Sequence, residues 1–324
     1  MPTKIEWTDE SWNPVSGCTR DCSYCYARRM AKRLAGRYGY PKDDPFHPTF
    51  HPDKLNEPLK WKKPRRIFVC SMGELFDPEI GERDIDAVFF AMLLHNPISS
   101  PNNPRHTFII LTKQPQRMKD YTANWSRESI GTEFDCYFPH VILGVSVTNQ
   151  KDADERIPIL LQTPAAVRGV SIEPMLEGID IRDALDGYPI QTSAEAYVTH
   201  DMAMDAGDLS MVGSRYSSEE WEQTHPPLDW VIVGVETGRN RRKTEQVECE
   251  HCFGCGGCGY CNDDHYVHES TQWIRSIVQQ CKESGVTCFV KSVEINGEVV
   301  KDIDKFPPDL QVRQTPELHR EGSI

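Results

Sequence analysis

A short loop near the start of the sequence holds three cysteines with the potential for metal chemistry. Cys18, Cys22 and Cys25 follow the pattern C-x3-C-x2-C, and the aromatic Tyr24 precedes the third cysteine. Thiolates are preferred ligands of iron–sulfur clusters, and four of them complete a [4Fe–4S] cube. Three thiolates leave one iron open, so we expect a cluster whose open iron chelates a small molecule. A structural zinc site would need a fourth ligand in paired C-x2-C steps, and no neighbouring residue supplies it.

A second group of cysteines lies far along the chain, with histidines close by and glycines between them. Its five members repeat at an interval of three residues: Cys249, Cys252, Cys255, Cys258 and Cys261. Glycines allow tight turns, and unpaired thiols at this density predict a second metal site. Zinc is favoured, because the chelating segment is short and self-contained like a structural knuckle. An auxiliary iron–sulfur cluster remains the alternative, and free thiols that take part in chemistry are a third.

The composition favours a cytoplasmic protein without membrane contact. The chain has 324 residues, of which 38% are hydrophobic. It contains no apolar run of about 18 residues and no signal-peptide profile at its start. The formal net charge of −13 argues against indiscriminate binding to nucleic acid, which depends on neutralising phosphates.

The charge is uneven along the chain. Residues 1–70 hold 14 Lys and Arg against 8 Asp and Glu, which makes this part +6. Most of these basic residues fall in two runs: Arg28, Arg29, Lys32, Arg33 and Arg37, then Lys60, Lys62, Lys63, Arg65 and Arg66. They could form a local basic face for a phosphate-bearing substrate, although a solvated helix face and loop is the plainer interpretation.

Short apolar runs alternate with segments of helical spacing, which predicts βα units around a parallel sheet. The predicted strands are residues 13–16, 67–71, 107–112, 141–147, 167–172, 230–235 and 287–290. The predicted helices are residues 26–37, 85–94, 153–161 and 271–283, the last of which Gly285 should end. Six or seven units are too few for a complete eightfold barrel, so we expect an α/β fold with a partial (β/α)6-7 barrel.

Two insertions interrupt the predicted barrel. Residues 187–227 are rich in polar residues without a sustained period, which predicts an irregular insertion and a potential lid. Residues 239–268 form the cysteine-rich, metal-binding insertion. The barrel itself then consists of residues 1–186, 228–238 and 269–324. Because the second insertion follows a predicted strand directly, we expect it at the carboxyl end of the sheet, where parallel barrels build their active sites.

The first cysteine loop resembles the defining motif of the radical S-adenosylmethionine superfamily in its spacing, its aromatic residue and its place after the first strand. Several segments also resemble a little-characterised, often phage-borne branch of that superfamily without an assigned substrate. They are residues 12–14, 71–72, 75–77, 108–113, 171–176, 230–238 and 311–314. The resemblance implies a TIM-like partial barrel in which the open iron holds S-adenosylmethionine and Tyr24 offers a backbone contact to its adenine. An electron from a reductant such as flavodoxin or ferredoxin would then generate a 5′-deoxyadenosyl radical.

The resemblance also implies contacts to S-adenosylmethionine at the strand ends. Gly73 and Glu74 match part of a Gly-Gly-Glu-like segment that receives the methionine amino group. Ser146 and Asn149 lie where polar residues hold the ribose or the carboxylate, and Glu173 lies where the chain flanks the adenine. A polar residue at a strand end could instead cap the next helix, and this alternative applies to Ser146, Asn149 and Glu173.

The leading hypothesis is a radical S-adenosylmethionine enzyme whose substrate the sequence leaves open. A nucleic-acid base or nucleotide is preferred because of the basic N-terminal part, the predicted knuckle and the phage-like kinship, and a protein or peptide is second. A non-catalytic zinc protein that recognises nucleic acid is an alternative from another class. An iron–sulfur sensor on a degenerate barrel, which would not cleave the cofactor, is a third. No residue stands out as a hydrogen-atom donor.

Overall fold

The chain folds into alternating strands and helices, and the computed structural model describes residues 3, 5–96, 100, 102–128, 134, 138–186, 196–197, 215–216, 227–237, 241, 244–248 and 266–318. The strands in chain order are β1 (Glu10–Trp12), β2 (Val15–Ser16), β3 (Thr49–Phe50), β4 (Arg66–Val69), β5 (Thr107–Thr112), β6 (Val141–Val147), β7 (Val167–Met175), β8 (Ala196–Tyr197), β9 (Arg215–Tyr216), β10 (Trp230–Val235), β11 (Gln246–Glu248), β12 (Tyr266–His268), β13 (Thr287–Ile295) and β14 (Glu298–Val300). The helices are α1 (Tyr26–Leu34), α2 (Glu82–Leu93), α3 (Pro115–Glu128), α4 (Gln150–Leu161), α5 (Arg182–Asp186) and α6 (Glu269–Glu283).

The central element is an eight-stranded sheet in the order β1-β4-β5-β6-β7-β10-β13-β14. Every neighbouring pair is parallel except β13 and β14, which form an antiparallel hairpin. Its inner strands are runs of apolar, mostly β-branched residues; β10, for example, is buried along its whole length. Such runs suit parallel strands that are covered on both faces. The α/β fold with a parallel sheet is therefore confirmed.

The sheet is curved into a partial barrel, as the packing of Trp7 demonstrates. The Trp7 ring lies 4.8 Å from the Phe68 ring on β4 and 6.0 Å from the Trp230 ring on β10, centroid to centroid. These two strands are four positions apart in the sheet, which would separate them by about 19 Å if the sheet were flat. One side chain can touch both only because the sheet wraps around it. Ile142 and Phe289 pack into the same interior cluster.

The opposite face of the sheet packs against the helices and holds the larger core. Leu143, Val233 and Val290 point to this side and join Phe89 of α2 and Ile277 of α6. Alternate residues of each strand thus serve the barrel interior and the helical layer, as the strand period of two requires. This alternation decides which side chains at the strand ends can reach the interior.

Three predicted strands, residues 107–112, 141–147 and 230–235, match the observed bounds. The prediction for residues 13–16 was wrong: the sheet begins at Glu10–Trp12, and Val15–Ser16 pairs with Thr49–Phe50 instead. The first helix ends at Leu34 and not at residue 37, because the chain turns at Gly36, whose φ is 71°. The last helix does end before Gly285, whose φ is 69°.

Most of both predicted insertions lies outside the described residues, and so do all five members of the second cysteine group. The strands that flank this group, β11 and β12, are described and pair antiparallel, with Glu248 opposite Tyr266. The chain therefore enters and leaves residues 249–265 at adjacent backbone positions. Among the described helices, none combines the length and the apolar content that crossing a bilayer requires.

Candidate functional site

A cavity of about 430 Å³ lies at the carboxyl ends of the parallel strands, and the first cysteine loop forms part of its wall. All three cysteines, Cys18, Cys22 and Cys25, line it. Of the six residues expected to contact S-adenosylmethionine, five line the same cavity: Tyr24, Gly73, Glu74, Ser146 and Glu173. The fold therefore brings together residues that are up to 155 positions apart in sequence.

Two glycines hold the cysteine loop against the loop that follows β4. Gly17 donates its N–H to Met72 O at 2.9 Å, and Gly17 O accepts the Glu74 N–H at 3.0 Å. Gly17 has a φ of 82°, and a Cβ atom there would lie 2.2 Å from His47 O. A Cβ atom at Gly73 would lie 2.7 Å from Ser16 Cα. Since both contacts are with backbone, only glycine fits at either position. Gly73 allows the two loops to approach each other, and Gly17 allows the cysteine loop to lie against the segment before β3.

Asp77 holds the cysteine loop in place through hydrogen bonds to its buried carboxylate. Its fully buried carboxylate accepts the Thr19 N–H at 2.7 Å, the Thr19 hydroxyl at 2.9 Å and the Glu79 N–H at 3.1 Å. Hydrogen bonds to an ionised acceptor are among the stronger ones in proteins. Asp77 therefore positions the segment between Cys18 and Cys22. Sequence reasoning did not identify this role; an acidic residue directly after the apolar pair Leu75 and Phe76 was the available signal.

Backbone N–H groups point at two of the three sulfurs. Cys25 is the N-cap of α1, and its Sγ accepts the Arg28 N–H at 3.4 Å. Cys18 Sγ accepts the Arg20 N–H at 3.3 Å. Donors of this kind, together with the positive end of a helix, favour negative charge on sulfur. Burial nevertheless raises the pKa of the Cys18 thiol to about 12, against the lowering effect of the Arg20 N–H. A bound metal centre would supply the positive charge that deprotonates it.

The donor set of the cavity fits an iron–sulfur cluster. Three thiols line one cavity. In a cube each thiolate binds a different iron, so the thiolates surround a body wider than one ion. In the part of the chain that the structure describes, no group of three or more His, Cys, Asp or Glu side chains is placed to hold a single metal ion. A fourth thiol, Cys70, also lines the cavity, but it is buried and burial raises its pKa.

Lys113 lies directly beside the cysteine loop. Its Nζ donates to Tyr24 Oη at 2.9 Å and to Cys22 Sγ at 3.6 Å, and it lies 4.5 Å from the centre of the Tyr24 ring. Burial lowers the pKa of Lys113, but the hydrogen bond to Tyr24 and the electrostatic interactions with Tyr24 and Cys22 outweigh it and raise the pKa above the usual value. The site therefore contains a charged ammonium group next to the sulfurs. Sequence reasoning missed this residue, which follows β5 immediately.

Glu74 is occupied by protein contacts. Its Oε1 accepts the Thr112 hydroxyl at 2.7 Å and the Phe76 N–H at 3.3 Å, and its Oε2 accepts the Lys113 N–H at 3.0 Å. Burial raises the pKa of Glu74, and these hydrogen bonds oppose that rise. The carboxylate thus fastens the loop after β4 to the end of β5. It leaves the backbone of Gly73 facing the cavity.

The strand-end residues separate into two groups. Ser146 and Glu173 line the cavity, and Glu173 forms an ion pair with Lys291 of β13. Asn149 does not line it: its Oδ1 accepts the Asp152 N–H at 2.8 Å and caps α4. Lys291, which is largely buried, was also missed; a lysine within the apolar strand was the signal.

Comparison with known proteins adds a family but no activity. No curated protein and no solved structure matches the chain. A family model described as "Protein of unknown function (DUF5131)" matches residues 2–251 of the 324. That range includes the first cysteine loop and all the cavity-lining residues except Lys291 and Lys301. Because the model covers well over half of the sequence, the chain belongs to the DUF5131 family of proteins of unknown function.

Proposed function

We propose that this protein is a radical S-adenosylmethionine enzyme with a [4Fe–4S] cluster bound by Cys18, Cys22 and Cys25. One observation carries the proposal: the three thiols line a single cavity at the carboxyl ends of the strands of a partial barrel. This is the edge at which parallel α/β barrels place their active sites. When bound, the cluster and S-adenosylmethionine would supply a 5′-deoxyadenosyl radical by reductive cleavage, with the electron drawn from a donor such as flavodoxin or ferredoxin.

The chain's own residues would bind and orient the cofactor. The half-buried backbone of Gly73 is available to the methionine end, and Ser146 is available to the ribose or the carboxylate. The Glu173–Lys291 ion pair lies on the cavity wall beyond them. Asn149 is assigned to capping α4 rather than to this site. These roles distribute the cofactor contacts over β4, β6 and β7.

The cavity also has the apolar surface that a reactive intermediate needs around it. Ile5, Trp7, Phe68, Leu111 and Val235 line it together with the polar residues. Closely packed apolar walls exclude water and suppress side reactions. The protein's part in the chemistry is therefore placement and exclusion of solvent.

Anaerobic reconstitution tests the proposal. With iron and sulfide, the wild-type protein should develop a broad visible absorption, and with dithionite and S-adenosylmethionine it should form 5′-deoxyadenosine. The Cys18→Ala, Cys22→Ala, Cys25→Ala triple variant should do neither. Cys70→Ala is the matched control, because this thiol lines the same cavity outside the motif, and it should retain both properties.

Three results would contradict the proposal. Loss of the cluster in Cys70→Ala would mean a fourth protein ligand and no open iron. A loaded cluster that forms no 5′-deoxyadenosine would favour the iron–sulfur sensor, and zinc at both cysteine groups would favour the non-catalytic nucleic-acid-binding protein.

The second cysteine group remains a predicted metal site, with zinc or an auxiliary iron–sulfur cluster as its occupant. Its residues are Cys249, Cys252, Cys255, Cys258 and Cys261. Metal and sulfide analysis of the Cys18→Ala, Cys22→Ala, Cys25→Ala variant would measure the second site alone. Zinc without sulfide would support the knuckle, and iron with sulfide would support the auxiliary cluster.

A further inference from the structure

Helix α1 carries a strongly basic sequence beside the mouth of the cavity. Its basic residues are Arg28, Arg29, Lys32 and Arg33, and it has no acidic residue; Arg37 follows it. Two of the arginines lie in the first turns, near the positive end of the helix, where basic side chains are disfavoured. The whole chain, by contrast, has a formal net charge of −13. The α1 face is thus a local cationic surface on an anionic protein.

This face is continuous with the cavity. Tyr26 and Arg29 are exposed on α1 and also line the cavity. Met30 and Arg33 are exposed one helical turn further along. From Tyr26 to Arg33 the helix rises about 10 Å. An elongated ligand on this stripe would therefore have one end at the cavity.

Most cations of this face are not neutralised by the described part of the protein. Arg28 has a carboxylate neighbour, since its Nε lies 3.7 Å from Asp21 Oδ1. Within the described part of the chain, Arg29, Lys32 and Arg37 have no ion pair, and the nearest polar partner of Arg33 is the Met30 sulfur at 3.9 Å. The charge is available to an anionic ligand.

An exposed aromatic residue, Tyr38, lies in the turn that follows α1 and has an unfavourable backbone conformation. The Tyr38 side chain is 76% exposed, and its φ is 54°. Bulky residues rarely adopt this left-handed conformation, and persistent strain of this kind is concentrated at functional positions. The ring of Tyr26 is also exposed, while its hydroxyl donates to Ser71 O. Both rings present a flat surface to solvent.

We propose that the α1 face binds single-stranded nucleic acid and leads an unpaired base to the cavity. Lys32, Arg33 and Arg37 would neutralise phosphates, and Tyr38 would stack on a base. Exposed rings between basic side chains favour unpaired bases over a duplex, whose bases are stacked on one another. The exposed rings also favour nucleic acid over an acidic protein. An acidic protein would need only the basic charges, whereas bases can also stack on the rings. The substrate assignment rests on the proposed function of the cavity, whereas the binding itself does not.

Binding by the full-length protein tests the proposal. The probe is a fluorescein-labelled DNA or RNA strand of mixed sequence and about 20 nucleotides, longer than a typical single-strand site. Anisotropy is measured over a sodium chloride series for the wild type and for the triple variant Lys32→Gln, Arg33→Gln, Arg37→Gln. The matched control is Lys60→Gln, Lys62→Gln, Lys63→Gln, which removes the same charge from exposed residues just before β4, at the opposite edge of the sheet.

The α1 variant should bind about tenfold more weakly, with a slope of log affinity against log salt smaller by about 2, because each lost phosphate contact contributes about 0.7. The control should stay within about twofold of the wild type, since its charges lie away from the α1 face. Tyr38→Asn, which keeps a residue tolerant of the left-handed conformation, should weaken binding about fivefold or more without changing the slope.

Four outcomes would overturn the proposal: no binding of either strand, equal losses in the two triple variants, tighter binding of the matching duplex, or equal competition by polyglutamate. The last of these would indicate an acidic protein partner. Formation of 5′-deoxyadenosine without substrate is measured on the same variants and should be unchanged in the α1 variant, whose three residues do not line the cavity. If neither the wild type nor any variant forms 5′-deoxyadenosine but the predicted differences in binding are observed, the function proposed for the cavity is wrong. The proposal that the α1 face binds nucleic acid is then still supported.

Discussion

At the scale of single residues, the candidate site depends on side chains that hold its loops as much as on those that face the cavity. The spacing of Cys18, Cys22 and Cys25 was readable in the sequence because the three are local. The contacts of Asp77, Lys113 and Lys291 were not, because each reaches a residue at least 58 positions away through the fold. Their residue types were visible, but nothing in a sequence reports which distant loop a buried carboxylate will meet.

Gly17 provides a direct test of the close packing of the cysteine loop against the backbone of His47. Gly17→Ala should destabilise the protein by more than the roughly 1–2 kcal/mol of left-handed strain alone and should abolish cluster loading. Gly285→Ala is the control, because Gly285 has a similar φ of 69° but no atom within 4 Å of the added Cβ. Urea unfolding and iron content per chain measure the two effects. Equal behaviour of the variants would contradict the steric argument.

Asp77 is expected to control the geometry of the cysteine loop through its charge. Asp77→Asn keeps the shape but loses the charge-assisted bonds to Thr19, so we expect a loss of about 1.5–3 kcal/mol and lower iron occupancy. Thr19→Val removes only the hydroxyl bond and should have the smaller effect. If Asp77→Asn loads iron as the wild type does, the loop is held by other contacts.

At the scale of elements, the strands were easier to predict than their ends. β5, β6 and β10 are bounded as expected because their apolar runs stop sharply. Alternation within β6 also explains why Ser146 reaches the interior: it follows Ile142 and Gly144 on the inner face, whereas Val145 and Val147 face the helices. Asn149 follows the strand, where this periodicity no longer applies. Helix α3 was missed because its sequence is mostly polar, and only its packing stabilises it.

The elements at the amino edge of the sheet hold three buried histidines, which predict acid sensitivity. His95, His106 and His140 lie after α2 and before β5 and β6, and each bonds a backbone carbonyl through one ring nitrogen. Burial lowers the pKa of all three, to about 4 for His106 and His140. The unfolded chain therefore binds more protons, and the free energy of unfolding should fall as the pH drops from about 6.5 to about 4.

The expected loss in the free energy of unfolding is about 3 kcal/mol for each of the two most shifted histidines, His106 and His140. Urea unfolding across this pH range measures it. The slope of the free energy of unfolding against pH gives the number of protons taken up on unfolding. His140→Gln, which keeps a donor for Met92 O, should lower this number by one. An unchanged slope would assign the acid sensitivity to other groups.

At the scale of the whole molecule, the curvature of the sheet was inferred from the number of units and is established by contacts across the interior. Trp7 precedes the first strand and had no predicted role, because filling a barrel depends on strands that are distant in sequence.

Trp7→Ala should lower the free energy of unfolding by about 3–5 kcal/mol and weaken binding of S-adenosylmethionine, since Trp7 fills the interior and lines the cavity. Trp125→Ala, on the helical side, should lower stability without affecting that binding. Unfolding and equilibrium dialysis distinguish the two.

The antiparallel pairing of β11 with β12 has a consequence for how this chain can be altered. Since Glu248 and Tyr266 are opposite each other, a two-residue Asn-Gly turn could join them in place of residues 249–265. Such a shortened chain would keep the hairpin and the barrel while discarding the entire second set of sulfurs. The second cysteine group is thus carried on a stretch of chain that begins and ends at neighbouring positions of one hairpin, so its removal need not disturb the barrel or the cavity.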